Sequence, residues 1–245
     1  MNQRIINSWF LTSLAFLASI LTGEQTANSG TEDKVKATEH VDRTLAFPAG
    51  GTLQLHNFSG DVHITGTTGK DLVIKAVRRA RRDQLEHIVL DIQTSGSTVT
   101  IDANKRDPSW QYHSKDNVVE TSFEVEVPAD AKLEVEAFSS NLDIRALAGT
   151  QRLKTFSGDI SVDAAVADAA PILTAETFSG GIRVRLADSA KGDVSFESFS
   201  GSFHTELPLT LHPASHNRAS GALPGAASDG TLRFKTFSGD VHVTK

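Results

Sequence analysis

The chain has 245 residues, of which 39% are hydrophobic, and this is enough to form one large domain or two small ones. Its formal net charge is −6, which disfavours nucleic acid as the main partner because phosphate binding requires a basic surface. Cysteine is absent, so disulfide bonds, thiolate zinc sites and a cysteine nucleophile are excluded. The fold must therefore be stabilised by core packing and strand pairing.

Residues 1–23 have the pattern of a secretory signal peptide. Arg4 is the only charged residue before Glu24, and residues 5–21 are mostly apolar. An uncleaved anchor is the alternative, because a segment of about 17 apolar residues can just cross a bilayer. Residues 24–40 are polar and predict a flexible leader. We therefore expect an exported protein, periplasmic or on the cell surface, with a single domain at residues 41–245.

A unit of the form apolar-x-apolar-x-small-Phe-Ser-Gly-Asp-apolar-x-apolar recurs after the leader. Its phenylalanines are Phe58, Phe138, Phe156, Phe178, Phe199 and Phe237. Both halves of the unit alternate with the period of a half-buried β-strand, and the parity of the apolar positions changes within the unit. The chain must therefore turn a corner there. The residues predicted to allow this turn are Gly60, Gly158, Gly180, Gly201 and Gly239.

The spacing of the units predicts the fold class. The phenylalanines at 138, 156, 178 and 199 are 18, 22 and 21 residues apart, which fits one solenoid rung of two strands. We predict an all-β fold, a β-solenoid or parallel β-helix-like stack of repeated strands, with the six phenyl rings in an internal ladder. Each buried ring would contribute about 1.5–3 kcal/mol. Antiparallel hairpins that turn at Ser-Gly are the alternative, and the last copy is expected to close the stack.

Two insertions interrupt the array of units. Residues 66–132 contain alternating runs at 72–76, 88–92, 99–101 and 119–127, which predict an inserted β-layer within the same domain. Residues 207–230 are rich in Pro, Gly, Ala, Ser and His, and this composition predicts a long surface loop.

The repeated Phe-Ser-Gly-Asp units, the segment VEVPADAKLEVEAFSS that follows the last inserted strand, and the export signal together resemble a known family. It is the bacterial putative-adhesin domain of unknown function, the toast-rack type of stacked-strand protein. The resemblance covers nearly all of the chain after about Val41. It implies the stacked architecture, and it implies no catalytic residues because that family has no agreed ones. Ser140 and Asn141 depart from it, since they replace Gly-Asp in the second copy.

Two outward repeat positions carry groups that could serve chemistry. Asp61, Asp159 and Asp240 share one position, and the other is shared by His63, His204 and His242. Stacking could bring these carboxylates and imidazoles together as metal ligands. An aspartate after Ser-Gly is, however, explained by bonding to backbone amides in the turn, and no pair of carboxylates stands out as a catalytic pair. We expect no metal, no cofactor and no catalytic residues.

The densest basic cluster lies near the end of the first inserted run. It consists of Arg78, Arg79, Arg81 and Arg82. Exposed guanidinium groups bind phosphate well, so this cluster is a candidate contact for anionic envelope polymers or phospholipid head groups. The alternative is a solvated strand end whose charge is balanced by Asp83 and Glu86.

Trp110 and Tyr112 lie in a polar segment, where exposed aromatic rings could stack on sugars or on partner proteins. The alternative is that this segment folds its rings back onto the domain.

The leading functional hypothesis is an exported cell-envelope interaction or structural module that is not an enzyme. Its expected partner is an envelope protein or polysaccharide, with a membrane contact only if the N-terminal segment stays uncleaved. A polysaccharide-acting enzyme on the same scaffold and a polyanion-binding envelope-stress component are the alternatives.

Overall fold

The computed structural model describes residues 36–109, 118–164, 171–211, 217–223 and 230–245. Two β-sheets of ten and nine strands face each other across one hydrophobic core. One short helix is found in these ranges, α1 at Arg82–His87. No helix in this part of the chain has the length and hydrophobicity needed to cross a membrane. The predicted signal peptide at residues 1–23 lies outside the described residues.

Each of the six units forms two strands, one in each sheet. The first strands lie in the ten-stranded sheet and are β2 (Thr52–Ser59), β8 (Lys132–Ser139), β10 (Gln151–Ser157), β12 (Ile172–Ser179), β14 (Asp193–Ser200) and β18 (Thr231–Ser238). The second strands lie in the nine-stranded sheet and are β3 (Val62–Thr67), β9 (Leu142–Arg145), β11 (Ile160–Ala164), β13 (Ile182–Leu186), β15 (Phe203–Thr205) and β19 (Val241–Thr244). The predicted stack of repeated β-strands is confirmed.

Neighbouring units pair in parallel and in register, so the hairpin alternative is wrong. Ser157 lies opposite Ser139 on one side and opposite Ser179 on the other. The sixth unit does not close the stack as expected. Its strands β18 and β19 lie between those of the fourth and fifth units. The order of the units in space is therefore one, two, three, four, six, five.

The inserted strands lengthen the same two sheets. They are β4 (Asp71–Arg81), β5 (Ile88–Ser95), β6 (Thr98–Arg106) and β7 (Glu120–Pro128). β7 pairs with β3 in the nine-stranded sheet, and β6 pairs with β2 in the ten-stranded sheet. The first unit is thus sandwiched between the second unit and a rung built from β6 and β7.

Two of the predicted segment boundaries are wrong. The leader was expected to reach residue 40, but β1 (Lys36–Ala46) pairs along its whole length with β4, because the long β4 offers a free edge. Within the predicted surface loop at 207–230, β16 (Thr210–Leu211) and β17 (Arg218–Ala222) extend the ten-stranded sheet beyond β14. Leu207 and Leu223 are buried at its two ends, so this segment caps the core.

The prediction that the six repeated phenylalanines form an internal ladder is wrong. In β12, Leu173, Ala175 and Thr177 are buried, so the alternation places Phe178 on the outer face. The same holds in every unit, where the residue before the phenylalanine points inward and the chain reverses its faces only in the three residues after the phenylalanine. The core is formed instead by the aliphatic positions of both strands, together with Phe196 and Phe234.

Candidate functional site

Six phenyl rings form a ladder on the outer face of the ten-stranded sheet, called here the Phe ladder. In spatial order it consists of Phe58, Phe138, Phe156, Phe178, Phe237 and Phe199. Neighbouring ring centroids are 4.5–5.0 Å apart and the planes of the last five rings are within 7° of parallel. The side chains are 38–46% exposed, and Phe199 at one end reaches 69%. Five strand spacings make the Phe ladder about 24 Å long.

The stacking decides which part of each ring a partner can contact. Because the planes are nearly parallel and each ring lies over the next, the ring faces are covered by neighbours. The ring edges therefore point to solvent, and only the two ends of the ladder offer a free face. Sugars bind aromatic rings through the ring face, so the ladder is poorly suited to carbohydrate stacking and better suited to apolar packing.

The corner beneath the ladder is fixed by small polar residues and glycine. The buried Thr155 and Thr177 hydroxyls donate hydrogen bonds of 3.1 Å to the carbonyls of Ser140 and Gly158 in the preceding unit. Because these hydroxyls are hydrogen-bonded, burying them costs little free energy. The adjacent phenylalanine, which has the opposite parity, then lies on the outer face. Gly180 has φ of +148°, and a Cβ there would lie 2.1 Å from the Gly158 carbonyl oxygen. The fourth unit thus requires glycine at this step.

The predicted corner glycines differ in backbone conformation. Positive φ occurs at Gly60, Gly158, Gly180 and Gly239. Gly201 is needed for space instead, because a Cβ there would lie 2.1 Å from the carbonyl oxygen of Gly239.

A row of acidic and basic side chains runs beside the ladder, two residues before each ring. The two types alternate along the stack, and we call it the charge row. Its six members from the repeats are, in spatial order, His56, Glu136, Lys154, Glu176, Lys235 and Glu197. Asp102 on β6 and Arg218 on β17 extend it at the two ends. The alternation is hidden in the sequence, because the sixth unit lies between the fourth and fifth units in space.

The ladder and the row together line one open groove of about 1170 Å³, called here the Phe groove. Contacts between neighbouring members of the row lie near both ends of the groove. His56 lies 3.7 Å from Glu136, and Arg218 donates a 2.9 Å hydrogen bond to Glu197. The bond from Arg218 lowers the pKa of Glu197 below its usual value, and Lys235 adds to this effect, so the row keeps its negative charge there.

The outward aspartates bond to backbone amides. Asp159 Oδ1 accepts a 2.8 Å hydrogen bond from the amide of Gly181, and Asp240 Oδ1 accepts one of the same length from Ser202. The amide bond from Gly181 lowers the pKa of Asp159, and Arg183 adds to this effect while partial burial opposes it. These carboxylates link successive rungs, which accounts for their position in the repeat.

Three of the predicted outward residues come together at one end of the other sheet. The ligand atoms of His204, Asp240 and His242 lie within 4.8 Å of one another, and the two imidazole rings stack at 4.7 Å. They are exposed, and the remaining histidine of that repeat position, His63, lies instead beside Asp143 at 3.5 Å. A cation could be held here only after the side chains draw closer together.

The predicted basic cluster does not form one exposed surface. Arg78 is 2% exposed and binds Glu39 of β1 and the carbonyl of Ile88, because residues 72, 74, 76 and 78 share the buried face of β4. Arg79 lies 3.6 Å from Glu120, and Arg81 bonds to Asp83 at 3.1 Å, while Arg82 is exposed at the start of α1. The guanidinium groups therefore serve mostly to join strands and the helix.

Trp110 and Tyr112, the other predicted binding residues, lie outside the described residues.

The family model described as Toastrack DUF4097 matches residues 129–244. This part of the chain is a Toastrack domain. The match contains units two to six, and hence every ring of the Phe ladder except Phe58. The predicted resemblance is thereby confirmed, and the residues before 129 add the first unit and the inserted strands to the stack.

Two solved structures are similar to this chain to different degrees. A putative cell adhesion protein from Clostridium sporogenes superimposes with a TM-score of 0.62 at 10% identity, over 86% of this chain and 99% of that one. A putative adhesin from Bacteroides fragilis has a TM-score of 0.33 at 10% identity, over 84% of this chain and 97% of that one. The first likeness shows that the fold is shared. No curated protein matches the sequence of this chain.

Proposed function

We propose that this protein is an exported, non-catalytic interaction module of the cell envelope, which binds another macromolecule through the Phe groove. The observation that carries the proposal is the continuous ladder of exposed rings. Six phenylalanines on an outer face form an apolar surface of the kind that soluble proteins keep for interaction sites. The neighbouring charge row supplies the polar border that gives such a surface specificity.

Other observations support this proposal over its alternatives. Asp159 and Asp240 bind backbone amides, which leaves them poorly placed as the acid and base of a polysaccharide-cleaving enzyme. The burial of Arg78 and the pairing of Arg79 and Arg81 weaken the case for a polyanion-binding surface. The signal-peptide pattern at residues 1–23 supports export, and the Clostridium sporogenes protein of the same fold is named for cell adhesion.

The test compares the binding of labelled protein to envelopes prepared from its source cell with the gene intact, so that the unlabelled protein and any other partner are both present. The double variant Phe156→Ser/Phe178→Ser removes the two central rings of the ladder. We expect its affinity to fall at least about tenfold, because central apolar contacts dominate the binding energy of an interface. The fold should persist, since both rings lie outside the core.

The matched control is Val89→Ser/Ile172→Ser, which removes two apolar side chains that are equally exposed, at 43% and 44%, but do not line the groove. It should bind as the wild type does. Equal binding by the ladder variant and the wild type would reject the groove as the binding surface. Release of soluble sugar from the envelopes would argue for the enzyme instead.

A further inference from the structure

We infer that the Phe groove binds the same groove of a second copy of this chain, related by a two-fold axis that runs parallel to the strands. This inference rests on the proposed function, because it names the partner of the same groove. It is carried by the order of acids and bases in the charge row. Under this symmetry the row is complementary to its own copy, and moving the partner by one strand destroys the complementarity.

The row has an even number of positions, begins with an acid and ends with a base. A two-fold axis through its centre, between Lys154 and Glu176, reverses the order of the row in the partner. Every acidic side chain then faces a basic one. The pairs across the axis are Lys154 with Glu176, Glu136 with Lys235, His56 with Glu197, and Asp102 with Arg218.

The same axis also passes through the centre of the Phe ladder, between Phe156 and Phe178. Phe138 then faces Phe237, and Phe58 faces Phe199. Each of the six rings therefore faces a ring of the partner, and the Phe ladder is covered along its whole length. The next outward row agrees with this arrangement. Glu134 and Arg233, two positions further from the ladder, occupy equivalent places on either side of the axis.

Other registers are unfavourable. Moving the partner by one strand places acid against acid and base against base along the whole row, which costs energy at every position. A parallel arrangement, in which each residue meets its own copy, has the same defect. The alternation of charges thus selects this orientation, and the central axis is favoured because it pairs all eight positions of the row, whereas a shift by two strands pairs only six.

Alternating charges could also serve only to hold the strands of one chain in register. The charges at the centre of the row distinguish this role from binding to a partner. Toward the ends of the row, Glu136 lies 3.7 Å from His56 and Glu197 forms an ion pair with Arg218 within the chain. In the described part of the chain, Lys154, Glu176 and Lys235 form no such ion pair. The charges nearest the two-fold axis therefore remain available to a partner.

The surface is large enough for a specific dimer. Eight adjacent strands span about 34 Å, and the rows from Glu134 to the ladder, with their side chains, span about 20 Å. The resulting patch of roughly 700 Å² is close to the roughly 800 Å² per partner that a standard interface buries.

The test uses sedimentation equilibrium of the wild type and two charge-reversal variants, Lys154→Glu and Glu176→Lys. The wild type should form a dimer. Either variant alone creates two like-charge contacts beside the axis, so its self-association should weaken at least about tenfold. In an equimolar mixture, Glu at 154 and Glu at 176 of one variant face Lys at 176 and Lys at 154 of the other. The mixture should therefore form a heterodimer with affinity near that of the wild type.

Thermal unfolding of each variant, recorded separately, shows whether the fold is kept, and rescue in the mixture excludes misfolding as the cause of weak association. A monomeric wild type, variants that self-associate normally, or a mixture without rescue would each overturn the inference. A monomeric wild type that still binds envelopes through the ladder would overturn only the dimer. Normal envelope binding by the ladder variant would overturn the proposed function itself.

Discussion

Replacing Gly180 with alanine is expected to lower the free energy of unfolding by about 2–5 kcal/mol. Its φ of +148° lies where side chains are rarely tolerated, and the added Cβ would lie 2.1 Å from the carbonyl oxygen of Gly158 and 2.6 Å from its carbon. Both atoms belong to the backbone of the neighbouring corner, so relief requires two units to separate. Chemical denaturation with circular dichroism measures the loss.

Gly181 is the matched control, because it is the next residue in the same corner. A Cβ there would meet nothing closer than 3.5 Å, and its φ is not in the positive region. Its amide bond to Asp159 would be kept in Gly181→Ala. This variant should stay within about 0.5 kcal/mol of the wild type. Equal stability of the two alanine variants would show that the corner does not have the packing described above.

Phe234→Ala is expected to destabilise the protein by about 3–5 kcal/mol, whereas Phe237→Ala should cost about 1 kcal/mol. The two residues are three positions apart on β18. Phe234 is 2% exposed and packs in the core, while Phe237 is 44% exposed and contacts the rings of Phe178 and Phe199. The first substitution leaves a cavity between the sheets, and the second removes only stacking on the surface.

This comparison should be made by urea denaturation at protein concentrations low enough to keep the chain monomeric, so that loss of a dimer contact does not enter the result. If Phe237→Ala cost as much as Phe234→Ala, the repeated phenylalanines would be core residues, as the sequence pattern first suggested.

The period-2 alternation of each unit predicted the strands and their stacking, but it did not reveal which face the phenylalanine occupies. In the fourth unit, Leu173, Ala175 and Thr177 already share one parity, and Phe178 has the other. Hydrophobicity favoured burial of the phenylalanine over burial of the threonine. The threonine is buried because its hydroxyl finds the carbonyl of Gly158, and that partner lies in a different unit.

The order of the units in space was hidden for a similar reason. Glu176 and Glu197 belong to consecutive units, and direct stacking would place two carboxylates side by side. The sixth unit brings Lys235 between them, opposite both. The charge pattern contained this information, but reading it required the unit at the end of the chain to be considered as a possible insertion between two earlier ones.

The prediction of an exposed basic cluster was wrong because β1, a strand outside the repeat, covers Arg78. Arg78 continues the buried parity of Leu72, Ile74 and Ala76, so its burial could have been expected from β4 alone. Its ion pair with Glu39 could not have been expected, because residues 24–40 have the polar composition of a leader. Edge pairing of β1 with β4 supplies the carboxylate that makes a buried guanidinium acceptable.

Hydroxyl-radical footprinting read by mass spectrometry tests most directly whether the Phe ladder is an outer surface that binding covers. In dilute protein, Phe156 and Phe178 should be oxidised readily, whereas the buried Phe123 and Phe234 should be protected. Adding envelopes or raising the protein concentration should protect the ladder and leave Val89, which does not line the groove, as reactive as before. Ladder rings that are as protected as Phe123 in dilute protein, or equally oxidised under all these conditions, would contradict the account.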